Sequence, residues 1–134
     1  MAPWTRPIID VFSEYYNAKD IETMIREGVI EVSPLAYMRG RTFKHSYIIA
    51  DEMQNATQNQ MKMLLTRIGE GSKMVITGDL NQHDRGFEVN GLGDFIERLT
   101  ADSSSRMALV KFERQHVERH PAVSEVLRIY GDDE

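Results

Sequence analysis

The chain has 134 residues, 41% hydrophobic and 28% charged, which is typical of one folded domain with a buried core and excludes general disorder. With 16 basic and 21 acidic residues its net charge is −5, so overall charge does not favour strong sequence-independent binding to nucleic acid. It has no cysteine, which fits a reducing cytoplasm, and no apolar run long enough to cross a membrane.

The first third of the chain predicts two short helices and a strand. The helices run from Pro3 to about Tyr16 and from a cap at Asp20 to just before Gly28. Residues 29–33 alternate between apolar and polar side chains, as in a short strand.

The middle of the chain predicts an irregular stretch, a strand and a helix. Residues 34–42 are irregular, whereas residues 46–50 lack polar alternation, which predicts a buried strand. Thr57 and Gln60 have the spacing of a capping box, which opens a helix that ends at Gly69. The apolar stripe of this helix comprises Met61, Leu64, Leu65 and Ile68.

The last part of the chain continues the alternation of strands and helices. Its predicted elements are a strand at 73–77, a polar loop at 78–90, a helix near 92–100, a strand at 107–112, and a final helix that Pro121 opens and Gly131 closes. Strands alternating with helices imply an α/β fold with a parallel, right-handed wound sheet and flanking helices.

Two adjacent carboxylates and an amide follow the strand at 46–50, namely Asp51, Glu52 and Gln54. Acids at the carboxyl ends of buried parallel strands lie where such a sheet binds its ligand, and in an ATPase they hold magnesium or orient the attacking water. The alternative is a helix cap with a favourable charge at a helix N-terminus.

A second acidic motif, Gly78-Asp79-Leu80-Asn81-Gln82, follows the next strand along the chain. We expect Gly78 to let the backbone turn tightly, and Asp79 and Gln82 to face the same crevice as the first motif. The pair of motifs therefore favours half of an ATP-hydrolysing core over a mere helix cap.

Two arginines, Arg39 and Arg41, flank Gly40 before the first acidic strand. They are either solvated residues of a turn or contacts to phosphate, whose geometry matches the guanidinium fork. No Gly-x-x-x-x-Gly-Lys-Ser/Thr phosphate loop occurs in the 134 residues. The glycines at 69–73 follow a helix and open a strand, the reverse of the order in a phosphate loop.

Five segments of the chain resemble the PhoH family, bacterial and phage P-loop proteins whose core is similar to that of superfamily 1 helicases. They are residues 34–42 (Pro-Leu-Ala-Tyr-Met-Arg-Gly-Arg-Thr), 49–55 (Ile-Ala-Asp-Glu-Met-Gln-Asn, resembling Walker B), 60–67 (Gln-Met-Lys-Met-Leu-Leu-Thr-Arg), 77–82 (Thr-Gly-Asp-Leu-Asn-Gln) and 117–121 (Val-Glu-Arg-His-Pro). Met53 stands where the family usually has alanine or another small residue.

The resemblance implies a single partial domain over residues 1–134, with a RecA-like P-loop NTPase fold that lacks the P-loop strand and helix. It implies ATP and Mg²⁺ as cofactors, an RNA link and a ring-like homo-oligomer in the cytoplasm. The Walker A half would then belong to a separate chain or have been lost.

The resemblance also implies residue roles. Asp51 would hold Mg²⁺ through water, and Glu52 would activate the nucleophilic water. Asp79 and Gln82 would sense the γ-phosphate, and Glu52 and Gln82 would be the catalytic residues. The remaining site residues would contact nucleotide, phosphate or RNA; they are Gln54, Asp79, Arg39 and Arg41. The alternative is a degenerate, inactive domain that serves as a binding or assembly module.

Overall fold

The structure is a computed structural model that describes residues 6–82, 90–102, 106–113 and 118–131, with only the backbone of Gln82. The chain falls into two compact units, Met1–Phe95 and Ile96–Glu134, and each is described by itself. The elements in chain order are helices α1 (Arg6–Ser13) and α2 (Ala18–Arg26), strand β1 (Tyr47–Ala50), helix α3 (Gln58–Leu65), strand β2 (Lys73–Ile76), and helices α4 (Gly91–Ala101) and α5 (Pro121–Tyr130).

Both helices expected near the start of the chain are present. The expectation that Asp20 caps α2 is wrong, because Asn17 is the cap. The side chain of Asn17, which precedes the helix, accepts a hydrogen bond from the Asp20 amide at 2.8 Å. Asp20 lies in the first turn, where its carboxylate complements the helix dipole instead of capping it.

The first unit contains a parallel two-stranded sheet, as the α/β pattern predicts. Strand β1 pairs with β2 from Tyr47 opposite Lys73 to Ala50 opposite Ile76, and α3 connects the two strands. The prediction that β1 is buried on both faces is wrong. Its side chains alternate, with Tyr47 67% and Ile49 66% exposed, because only one face of this sheet packs on the core.

Two expected strands, at 29–33 and 107–112, do not form. The amides of Val29 and Ile30 both donate to the Met24 carbonyl at the end of α2, so this backbone follows the helix. Residues 107–112 have no regular structure, and Val110 and Phe112 are 75% and 80% exposed. A strand needs a hydrogen-bonded neighbour, and the described residues contain one sheet, of β1 and β2 alone.

The core of the first unit is built around α3. Its capping box is confirmed: Thr57 Oγ1 accepts from the Gln60 amide at 3.1 Å, and Gln60 Oε1 accepts from the Thr57 amide at 2.9 Å. Met61 and Leu64 are the most deeply buried side chains, at 2% and 1% exposure. Because the helix ends at Leu65, Ile68 lies beyond it and forms a parallel bridge with Phe43.

The second unit contains the end of α4 and the whole of α5. Pro121 occupies the first turn of α5, and Gly131 ends the helix with a φ of 78°, as expected from the sequence. His120 caps its start, since Nδ1 accepts a hydrogen bond from the Ala122 amide at 3.1 Å. No helix in the described part of the chain is both long and apolar enough to span a bilayer.

Candidate functional site at the carboxyl ends of the two strands

The parallel pairing of β1 and β2 brings the two acidic motifs to one edge of the sheet. Beyond the last strand pair, the Thr77 amide donates to the Ala50 carbonyl, and the Met53 amide donates to the Thr77 carbonyl, both at 2.9 Å. The ladder thus continues past the strands and carries Asp51 and Glu52 alongside Thr77.

The hydroxyl of Thr77 joins the two motifs directly. Thr77 Oγ1 donates to Asp51 Oδ1 at 2.5 Å and accepts from the backbone amide of Glu52 at 3.3 Å. These contacts fix one oxygen of the Asp51 carboxylate, whose side chain remains exposed.

Glu52 adopts a left-handed backbone conformation, with φ 56° and ψ 50°. Such a conformation in a residue other than glycine costs on the order of 1–3 kcal/mol and is concentrated at functional sites. The side chain is also held, because Gln54 Nε2 donates to Glu52 Oε2 at 2.6 Å. Glu52 therefore presents its carboxylate at the sheet edge from a strained but anchored backbone.

Gln54 is the one buried polar residue among those described, at 5% exposure. Its Oε1 accepts from the Asp79 amide at 3.2 Å, and its backbone carbonyl accepts from Asn90 Nδ2 at 2.7 Å. Together with the bond to Glu52, these contacts link both acidic motifs to the start of α4.

Asp79, the second residue of the second motif, is exposed, and its Oδ1 accepts from the Asn81 amide at 2.9 Å. Gly78 does not adopt the positive φ expected of a tight turn; it is needed for space. A Cβ there would lie 2.5 Å from Leu92 Cδ2 and 3.2 Å from the Gln54 amide nitrogen. Gln82 ends a short 3-10 turn, and its side chain lies outside the described residues.

The start of α4 packs directly against the turn after the first motif. Asn90 caps this helix, since its Oδ1 accepts from the Gly93 amide at 3.0 Å. The Gly91 amide donates to the Ala56 carbonyl at 2.9 Å, and a Cβ on Gly91 would overlap the Thr57 carbonyl group. Close backbone contact thus fixes α4 beside the acidic edge.

The two arginines are not part of this network. Arg41 forms a bidentate salt bridge with Glu31, at 2.6 and 3.1 Å, and its guanidinium lies 4.5 Å from the centre of the Phe43 ring. The hydrogen bond from Arg41 lowers the pKa of Glu31 below its ordinary value. Arg39 is exposed beside Gly40. Among the described residues, neither arginine hydrogen-bonds or forms a salt bridge with an acid of the two motifs.

The acidic edge has the donor chemistry that a hydrated magnesium ion uses. Asp51 and Glu52 are exposed, and neither forms a salt bridge with another described residue. The described residues contain no cluster of three or more Asp, Glu, His or Cys side chains that could enclose a metal. One or two carboxylates, completed by water and phosphate oxygens, are the usual protein share of a Mg²⁺ site.

Two residues of this site, Thr77 and Asn90, were not assigned roles from sequence. Asn90 precedes a helical pattern and is a good N-cap residue, so its capping of α4 could have been predicted. The bond from Thr77 to Asp51 joins residues 26 apart, and no local pattern indicates it.

A parallel β-α-β arrangement with acids at its carboxyl edge is typical of ligand-binding α/β proteins. The described part of the chain is thus a mixed α/β structure compatible with part of a P-loop NTPase. The family model for PhoH-like protein matches residues 1–131, and the chain belongs to this family.

The chain is similar to several bacterial relatives over nearly its whole length. It is 42% identical over 129 residues to a PhoH-like protein of Bacillus subtilis and 38% identical over 133 residues to one of Synechocystis. It is 38% identical over 134 residues to the protein PhoH of Escherichia coli. These matches cover 96–98% of the chain but only 37–40% of each relative, so the chain spans about two fifths of their length.

Proposed function

We propose that the chain supplies the Walker B and sensor part of an ATP-hydrolysing site in a RecA-like P-loop fold. The observation that supports this most strongly is the hydrogen-bonded edge at which Asp51, Glu52 and Asp79 meet at the ends of two parallel strands. The left-handed backbone of Glu52, whose carboxylate is exposed at this edge, supports the same proposal.

In this proposal Asp51 holds Mg²⁺ through water. Its Oδ1 is occupied by the Thr77 hydroxyl, which orients the carboxylate and leaves Oδ2 to accept from metal-bound water. When bound, Mg²⁺ would neutralise charge on the β- and γ-phosphates.

Glu52 is proposed as the base that accepts a proton from the attacking water. Gln54 holds its Oε2, so Oε1 is the oxygen that would face this water. Asp79 and Gln82 would sense the γ-phosphate, with Gln82 also orienting the water. The site is thereby divided between metal binding at Asp51 and proton transfer at Glu52.

The phosphate loop must come from another segment, because none occurs in these 134 residues. That segment belongs either to the same longer polypeptide or to a separate chain. Backbone amides and a lysine around the phosphates provide most of the binding that hydrolysis needs. We therefore expect residues 1–134 alone to hydrolyse ATP more slowly than about 1 per second, the low end of typical enzymes.

We further propose that the assembled protein is cytoplasmic and that Arg39 and Arg41 contact phosphate or RNA. Arg41 already holds the Glu31 carboxylate with both terminal nitrogens, the bidentate geometry that would also suit a phosphate in place of Glu31. Replacing both arginines with glutamine should then weaken RNA binding and reduce its dependence on salt. Unchanged RNA affinity would remove this part of the proposal.

The central test is a chimera in which this chain replaces the matching 129 residues of the Bacillus subtilis PhoH-like protein. The chimera should hydrolyse ATP when Mg²⁺ is present, and hydrolysis should stop when EDTA removes the Mg²⁺. Asp51→Asn should reduce turnover about 100-fold, because the water bound to the metal loses its anionic hydrogen-bond acceptor.

The matched control is Asp20→Asn, which alters another exposed acid in α2. It should leave turnover within about twofold of the parent chimera, given the small effects typical of surface changes. Full turnover by the Asp51→Asn chimera would contradict the assignment. An inactive but folded parent chimera would favour the inactive domain instead.

The second candidate function, a binding or assembly module, is favoured by the exposed face of the sheet. Tyr47 and Ile49 are about two thirds exposed on that face, and the sheet has unpaired edges in the described residues. Exposed edges and apolar faces promote association, including ring-like homo-oligomers. Sedimentation of the chain with and without Ile49→Lys tests this, since association through this face should be lost in the variant.

A further inference from the structure

Both acidic motifs connect to the same buried side chain, that of Gln54. Its Nε2 donates to Glu52 Oε2 at 2.6 Å, and its Oε1 accepts from the Asp79 amide at 3.2 Å. One amide group therefore bridges residues 52 and 79, which lie 27 positions apart in the chain.

The amide of Gln54 is buried and engaged by protein partners in this arrangement. The residue is 5% exposed, and each of its two amide heteroatoms already has a protein partner. To bind a phosphate oxygen, Nε2 would have to give up or share its charge-assisted hydrogen bond to the Glu52 carboxylate.

The neighbouring glycine and helix enclose the bridge. A Cβ on Gly78 would lie 2.5 Å from Leu92 Cδ2 and 3.2 Å from the Gln54 amide nitrogen, so a side chain there would not fit between Gln54 and α4. On the backbone side, Asn90 donates to the Gln54 carbonyl at 2.7 Å while capping α4. Gln54 is thus held from three directions, and each contact comes from a different segment.

We propose that Gln54 is a positioning residue that joins the two acidic motifs into one unit and aims the Glu52 carboxylate. The inference rests on the proposed function for the roles of Glu52 and Asp79. The donor half of the amide sets the orientation of Glu52, and the acceptor half sets the position of the Asp79 backbone. A shift of either motif is therefore passed to the other through a single side chain.

The two halves of the amide can be separated by substitution. Gln54→Glu keeps the acceptor at Oε1 and replaces the donor with an oxygen that repels Glu52. Gln54→Met has a similar length and removes both functions. Each variant is compared with Gln60→Met, which removes a glutamine from the capping box of α3 and serves as a control for lost stability.

The first measurement is amide hydrogen exchange, by NMR, of the full 134-residue chain without nucleotide. The Asp79 amide should exchange about tenfold faster in Gln54→Met, the effect of losing one hydrogen bond. It should stay within about threefold of wild type in Gln54→Glu and Gln60→Met. Unchanged Asp79 exchange in Gln54→Met would overturn the proposal.

A spectroscopic signature tests the donor half without altering Gln54. The side-chain amide resonance of Gln54 should move when Glu52 is replaced with alanine, because a charge-assisted hydrogen bond is lost. The side-chain resonance of Gln60 should not move. A stationary Gln54 resonance overturns the aiming role, even where Gln54→Glu fails to fold.

Turnover in the chimera separates positioning from direct nucleotide contact. Gln54→Met should lower kcat about 10- to 100-fold and leave KM within about threefold, as expected when geometry rather than binding is lost. A KM rise that accounts for the whole loss would identify a ligand contact and overturn the proposal. Expected exchange results combined with an inactive parent chimera would instead reject the proposed function and retain the bridge.

Discussion

The two ends of the small parallel sheet are both densely hydrogen-bonded, but they are built differently. At the amino end, two segments of the chain are joined by backbone hydrogen bonds. The Phe43 amide donates to the Arg67 carbonyl, and the Gly69 amide donates to the Phe43 carbonyl, both at 2.8 Å. At the carboxyl end, side chains of Thr77 and Gln54 hold two carboxylates.

A serine hydroxyl completes the amino end, much as a threonine hydroxyl completes the carboxyl end. Ser72 Oγ accepts from the Ser46 amide at 3.0 Å and donates to the Phe43 carbonyl at 2.7 Å. Thr77 Oγ1 accepts from an amide too, but it donates to the exposed carboxylate of Asp51. The same hydroxyl chemistry therefore joins backbone to backbone at one end and orients a charged group at the other.

Each end also contains a residue other than glycine with a positive φ, His45 at 53° and Glu52 at 56°. His45 is itself exposed, but its imidazole lies beside Gly71, where an added Cβ would be 2.5 Å from Nδ1. The Glu52 side chain is exposed and contacts one amide. The two residues therefore differ in what they present: His45 places an imidazole beside a glycine, whereas Glu52 places a carboxylate beside a second acid, which is the feature on which the proposed function rests.

The largest expected effect on stability lies at the contact between the start of α4 and the carboxyl end of the sheet. Gly91→Ala should destabilise the chain by about 3 kcal/mol, because the new Cβ meets the Thr57 backbone, which cannot rotate away. Urea unfolding would measure this loss.

The matched control lies two residues further along the same helix. The nearest atoms to a Cβ on Gly93 lie at 3.7 Å, an ordinary contact. Gly93→Ala should stabilise the chain by about 0.5–1 kcal/mol through helix propensity. Equal effects at the two positions would show that α4 does not pack closely against Thr57.

The next effect separates the two ends by substituting their hydroxyls. Ser72→Ala removes a partner from two backbone groups and should cost about 2 kcal/mol of stability. It should leave turnover of the chimera unchanged. Thr77→Val should cost less stability but reduce turnover about tenfold, since Asp51 loses its orientation. Urea unfolding and steady-state kinetics should be measured on both variants. A loss of turnover in Ser72→Ala but not in Thr77→Val would contradict the assigned roles of the two ends.

The smallest effect concerns the salt bridge that precedes the amino end. Because Arg41 lowers the folded-state pKa of Glu31 below 4.5, the pair contributes stability above that pH. The contribution disappears as the pH falls through the lowered pKa. Glu31→Gln should therefore be slightly less stable than wild type at pH 7 and equal to it in strong acid. The pair is largely exposed, so the difference is small. If the difference in stability between Glu31→Gln and wild type did not change with pH, it would not come from the salt bridge.

Local patterns predicted the parts of the fold that depend on nearby residues. These parts include the capping box of Thr57 and Gln60, the last helix, which starts at Pro121, and the two strands that precede the acidic motifs. The strands expected at 29–33 and 107–112 were wrong, because a strand requires a neighbour that alternation alone cannot supply.

The sequence predicted which residues lie at the candidate site, but it did not predict the hydrogen bonds between them. Asp51, Glu52 and Asp79 were expected at one edge because parallel strands end together. The bridge through Gln54 spans residues far apart in the chain, so no spacing rule indicates it. Gly78 was expected for its backbone freedom, whereas the structure uses its lack of a side chain.

The most direct test of the central claim, that the carboxyl end carries the chemistry, is the Glu52→Gln chimera. ATP turnover and equilibrium binding of labelled ATP are measured on the same preparation. The account predicts that turnover falls about 100- to 10,000-fold, as expected on loss of a general base, while the Kd for ATP stays within about threefold. Unchanged turnover, or loss of ATP binding in proportion to the lost turnover, would contradict it.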